Sequence, residues 1–152
     1  LLIMAIITFY EKPGCAGNRR QKELLELAGH TLIVRDLLTH LWNGTELRSF
    51  FRGKPANECM NPMAPDIRDG LIEPASLSDD EALALMLQKP LLIKRPLLVI
   101  GDQRFQGFDT NELNKVVPLE PVSGAEAAVE RLNMSDLNSC ADTSTQICTV
   151  KE

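Results

Sequence analysis

The first 36 residues constrain this chain more than any other stretch. Residues 3–10 are β-branched and aromatic with no charge before Glu11, which predicts a strand buried on both faces. Lys12-Pro13-Gly14 ends it. A helix is expected over about 16–28, with Leu24, Leu25, Leu27 and Ala28 as its apolar stripe and Gly29 as its C-terminal stop. Thr31–Asp36 (TLIVRD) then reads as a second strand. Two strands joined by a helical crossover of that length must lie parallel, so the chain opens with a β-α-β unit.

The remaining elements extend this unit. Residues 45–52 suggest a short helix, and Asn61-Pro62, Ala64-Pro65 and Glu73-Pro74 divide the next stretch into turns and short helical pieces. Ser78-Asp79-Asp80-Glu81 is a capping box opening a helix to about Lys89, before Pro90. Residues 95–100 (RPLLVI) form a strand, Gly101-Asp102 a hairpin turn and residues 103–108 the returning strand. Asp109 caps a last helix to about Val117. The order β-α-β, helices, β-β-α is a thioredoxin-like α/β fold with a helical insertion and a mixed four-stranded sheet. Residues 1–117 make the domain. Residues 118–152 make a C-terminal extension with one helix over 125–132 and a flexible, polar remainder over 133–152.

Charge and apolar content narrow the function. The net charge is −5, with six acidic against two basic residues in 118–152, so no basic footprint for nucleic acid is present. No apolar run approaches the ~18 residues of a membrane helix. The apolar N-terminus lacks a basic leader and a small-residue cleavage site, so it is read as a strand rather than a signal peptide, with Met4 as the expected natural start. Four cysteines (Cys15, Cys59, Cys140, Cys148) form no CxxC pair, and neither His30 nor His40 stands at ligand spacing to one of them. No metal site is expected, and the expected compartment is a reducing cytoplasm.

Cys15 carries the chemistry. It follows a strand through Pro13-Gly14 and begins the next helix, where unpaired N–H groups and the helix dipole favour a thiolate. Arg19 and Arg20 add positive charge one turn on. Such a thiolate is a nucleophile, and the same N–H groups can hold an oxyanion. Asn18, at i+3, shares its helical face. An amide there can donate to the sulfur but cannot close a local disulfide.

The stretch FYEKPGCAGNRRQKELLELAG, a helix ending MLQKP, and LLIKRPLLVIGDQRFQGFD together resemble the arsenate reductase/Spx (ArsC-like) family from Ile6 to Val117. The MNPMAP segment and its continuation are most similar to the nitrogenase-associated subgroup, encoded among nitrogen-fixation genes. The resemblance implies that Cys15 is the nucleophile, that Arg95 binds an oxyanion, and that Arg95-Pro96 is a cis peptide facing the cysteine. It also implies glutathione as reductant, with no tightly bound cofactor, and glutaredoxin or nitrogenase-related proteins as partners. Two of the family's three arginines are absent: their places fall near Met60-Asn61 and near Gly107. Arg52, Arg68 and Arg104 are the candidates to replace them. Asn18 departs from the CxxC of Spx-type regulators.

The other candidates are weaker. Cys59 lies beside the lost middle arginine and is either a resolving thiol for Cys15 or, on the simpler reading, a buried cysteine under a loop. Cys140 and Cys148 fall in the extension. His30 and His40 read as surface residues, and Trp42 as a cover for the insertion. Two functions are open: thiol chemistry at Cys15, or a nitrogenase accessory binding module. A glutaredoxin- and glutathione-dependent arsenate (oxyanion) reductase is the alternative.

Overall fold

The computed structural model describes residues 4–122. Its sheet holds β1 (Ile6–Glu11), β2 (Thr31–Asp36), β3 (Leu97–Ile100) and β4 (Gln103–Gln106) in the order β2-β1-β3-β4. β1 and β2 are parallel, with Ile6 opposite Thr31 and Glu11 opposite Asp36. β3 runs antiparallel to β1, and β4 antiparallel to β3. The helices are α1 (Ala16–Leu27), α2 (Gly44–Arg48), α3 (Pro65–Arg68), α4 (Asp79–Gln88) and α5 (Thr110–Leu113). The mixed sheet and the order of elements are those expected.

Alternation along the strands divides the core into two layers. Ile7, Phe9, Leu98, Ile100 and Phe105 point to one side, where Leu24 and Leu25 of α1 and Leu113 of α5 cover them. Tyr10 and Leu97 point to the other, into a cluster built by the insertion through Leu47, Phe50, Met86, Leu92 and Ile93. β1 is not buried on both faces as expected. Ile6 is 65% exposed because the insertion covers only the far end of its side of the sheet.

Chain ends are fixed by local chemistry. Gly29 adopts φ +94°, which lets its N–H reach the Glu26 carbonyl and the His30 N–H reach Leu25. His30 is buried rather than on the surface: Nδ1 accepts from the Ala5 N–H, so Nε2 carries the proton and donates to the Pro118 carbonyl at 2.7 Å. The Val122 N–H likewise donates to the Leu27 carbonyl. Residues 118–122 thus run back across the end of α1. The helix expected over 125–132, the flexible reading of 133–152, and Cys140 and Cys148 fall outside the described residues.

α4 shows the capping box in full: Ser78 Oγ accepts from the Glu81 N–H, and Glu81 Oε1 accepts from the Ser78 N–H. These hydrogen bonds hold the Glu81 carboxyl below its ordinary pKa. Ser78→Ala removes one acceptor at the helix start and should cost about 1 kcal/mol. A urea titration of the two proteins measures it, and equal midpoints would show that the cap carries no stability.

Candidate functional site

The site begins with a turn. In Lys12-Pro13-Gly14-Cys15 the Cys15 N–H donates to the Lys12 carbonyl at 3.1 Å, and Gly14 has φ +83°. Proline followed by a residue with positive φ is the pattern of a type II turn, which explains the Pro-Gly pair. The turn delivers Cys15 as the N-cap of α1, with extended φ −77° and ψ 120°, and its carbonyl accepts the Arg19 N–H. The first N–H groups of α1 therefore open beside the sulfur without intrahelical acceptors. Cys15 is buried, and its sulfur is disulfide-bonded in this structure.

A buried polar network holds the turn against the helix. Asn18 Oδ1 accepts from the Lys12 N–H at 3.0 Å, and Asn18 Nδ2 donates to Gln21 Oε1 at 2.9 Å. Lys12, Asn18 and Gln21 are all buried. Asn18 thus spends its carbonyl on the turn and one amide hydrogen on Gln21, which makes it a brace between turn and helix. The expected donation from Asn18 to the sulfur is not among the hydrogen bonds it makes.

A cavity of about 140 Å³ is lined by Cys15, Asn18 and Gln21 from the start of α1, by Asn61 and Met63 from the insertion, and by Lys94 and Arg95 from the approach to β3. The insertion wall is fixed by the Met60–Ile93 bridge, by the Asn61 N–H donating to the Leu92 carbonyl, and by Asn61 Oδ1 accepting from the Met63 N–H. Arg95-Pro96 is cis, and the Pro96 carbonyl accepts the Gly107 N–H. Cys15, Asn18 and Arg95 are therefore brought to one place. Arg19 is exposed and lines no part of the cavity.

The proposed substitutes for the two missing arginines are occupied elsewhere. Arg52 donates to the Arg104 carbonyl and stacks on the Phe105 ring, Arg104 lies over Phe50, and Arg68 pairs with Asp69. The cation beside Arg95 is instead Lys94, which no sequence pattern singles out. Lys12 and Gln21 are not legible in the sequence either.

Cys59 is a free thiol, so it is not the partner of Cys15. It is 1% exposed, and its carbonyl accepts from Gln106 Nε2 and from the Lys94 N–H. Burial is the main cause that pushes its pKa up to about 11. The simpler reading, a buried cysteine under a loop, matches this placement. At pH 8 roughly one Cys59 in a thousand is thiolate, so iodoacetamide should leave it unmodified in the folded chain and label it in guanidinium. Mass mapping decides, and rapid labelling without denaturant would contradict the burial.

His40 and Trp42 lie away from the cavity. They stack on each other and on Tyr10, Trp42 Nε1 donates to the Leu37 carbonyl, and His40 Nε2 pairs with Glu46. Trp42 covers the insertion, as expected. Among the described residues no group of three His, Cys, Asp or Glu side chains is placed to hold a metal ion, and no helix is long and apolar enough to cross a membrane.

Comparison with known proteins agrees with this architecture. The family model described as "ArsC family" matches residues 10–116. An uncharacterized 15.7 kDa protein in the draG 3' region of Rhodospirillum rubrum is 41% identical over 116 residues, covering 76% of this chain and 81% of that protein. The global transcriptional regulator Spx 2 of Bacillus cereus is 27% identical, covering 74% of this chain and 88% of the regulator. Among solved structures, arsenate reductase from Vibrio cholerae superposes with a TM-score of 0.59 at 23% identity, covering 74% of this chain and 96% of that one, and so shares the fold. With the matched span running from the strand before Cys15 to the helix after β4, the chain belongs to the ArsC family.

Proposed function

We propose that the chain is a thiol-exchange protein that works through Cys15 in a reducing cytoplasm. The observation that carries this reading is the position of Cys15: a helix N-cap on the wall of a cavity whose described lining has two cations and no carboxylate. In the reduced state the Cys15 thiolate attacks one sulfur of a small disulfide such as oxidised glutathione. A bond forms between that sulfur and Cys15, the substrate's sulfur–sulfur bond breaks, and the other half leaves as thiolate and takes a proton from water. A second thiol, such as that of glutaredoxin or glutathione, then resolves the mixed disulfide.

Arsenate reduction fits less well. Asn61 and Met63 form the wall where the resemblance expects an arginine, and Lys94 offers a point charge rather than a planar fork for a tetrahedral anion. The relative beside draG supports a nitrogen-fixation setting, in which nitrogenase-related proteins are the partners to test. Incubating the reduced chain with oxidised glutathione should give a mixed disulfide at Cys15 that glutaredoxin removes. Glutaredoxin-coupled NADPH consumption with arsenate should stay near background. Failure to form the mixed disulfide, or arsenate turnover that outpaces it, would reject this reading.

A further inference from the structure

Lys94 lines the cavity, and its backbone is fixed on both sides. Its N–H donates to the Cys59 carbonyl, and its own carbonyl accepts from Gln106 Nε2. Its side chain lies along Gly107: a Cβ at that position would sit 3.5 Å from Lys94 Cε and 3.8 Å from Nζ. Gly107 itself has φ +81°, where a side chain is strained. The lysine therefore runs beside bare backbone, with no neighbouring side chain at 107 to displace it.

Its charge has no counterion there. Lys94 makes no ion pair among the described residues, whereas Lys22, Lys89 and Lys115 each pair with a carboxylate. The other polar groups around the cavity belong to Asn18, Gln21, Asn61 and Arg95, together with the Cys15 sulfur. A cavity whose described lining holds two cations, one cysteine sulfur and no acid favours a ligand that brings both a sulfur and a negative charge.

We propose that Lys94 is a specificity-determining residue that selects carboxylate-bearing thiols and disulfides for exchange at Cys15; the inference rests on the thiol-exchange function proposed for that cysteine. The Lys94 ammonium pairs with the ligand carboxylate while the ligand sulfur meets Cys15. Neutral ligands reach the same sulfur without that contact, and cationic ligands are repelled.

Three small disulfides of similar size test this on the full, reduced chain: dithiodipropionate (anionic), bis(2-hydroxyethyl) disulfide (neutral) and cystamine (cationic). The readout is the rate of mixed-disulfide formation at Cys15, followed by peptide mass. The wild-type protein should favour the anionic over the neutral probe. Lys94→Gln should lower that ratio about tenfold, the value of one charge-assisted hydrogen bond. Lys94→Arg should restore it, and Lys94→Glu should favour cystamine. An anionic preference that survives in Lys94→Glu, or no preference in the wild type, would overturn the role of Lys94. A second measurement separates this from failure of the exchange reading. NMR titration of Cys15→Ser with dithiodipropionate should show binding that Lys94→Gln weakens, even if no probe reacts with Cys15. Absence of that binding also overturns the proposal.

Discussion

Cys15→Ser should abolish mixed-disulfide formation at the α1 N-terminus while leaving the fold intact. Oxygen replaces sulfur with little change in size, so the cavity keeps its shape. A hydroxyl cannot form the sulfur–sulfur bond on which exchange depends. Serine is also a better N-cap than cysteine, and Cys15 makes no side-chain cap hydrogen bond. Under reducing conditions the variant should therefore be as stable as the wild type, or more stable by up to about 1 kcal/mol. Intact-mass analysis after oxidised glutathione, with denaturation in parallel, checks both halves. Undiminished exchange at the other cysteines together with unchanged overall activity would move the chemistry away from this helix.

Asn18→Ala should be the most damaging single change to the site's framework. It removes both buried hydrogen bonds that Asn18 makes, from the Lys12 N–H and to Gln21 Oε1. The expected loss is about 1–3 kcal/mol, since each hydrogen bond is worth roughly 0.5–1.5 kcal/mol and the two share one side chain. Arg19→Ala, one residue away but exposed, should stay within about 0.5 kcal/mol of the wild type. Chemical denaturation of the pair measures the difference. Equal stabilities would mean that the turn before Cys15 holds itself without the asparagine.

The contrast between those two neighbours shows what a sequence can and cannot disclose. Local signals carry the fold. The Pro-Gly turn, the Gly29 stop and the capping box at Ser78 each act within a few residues, and each is where the pattern places it. Cys15 is legible as a candidate because it sits beside a turn at a helix start, whereas Arg95 is singled out only by the resemblance to the ArsC-like family. Helical spacing puts Asn18 on the correct face of α1, but its partners, the Lys12 backbone and Gln21, decide its role. Lys94 is invisible in the sequence because a lysine before a strand has no periodic signature, and only the packing of the strand ends shows what it faces. His30 reads as exposed for the same reason: its acceptor, Pro118, lies 88 residues away.

The two-layered core has a consequence for how such a protein can diversify. Cys15 caps the helix whose Leu24 and Leu25 pack in one layer, whereas Asn61 and Met63 lie between Met60 and Ala64 of the layer that holds Phe50 and Met86. The sheet separates these layers, and the cavity is where their ends meet. Insertions, deletions and repacking between β2 and β3 can therefore reshape what the cavity admits without disturbing the turn that presents the sulfur. Selection can act on recognition and on reactivity as nearly independent traits.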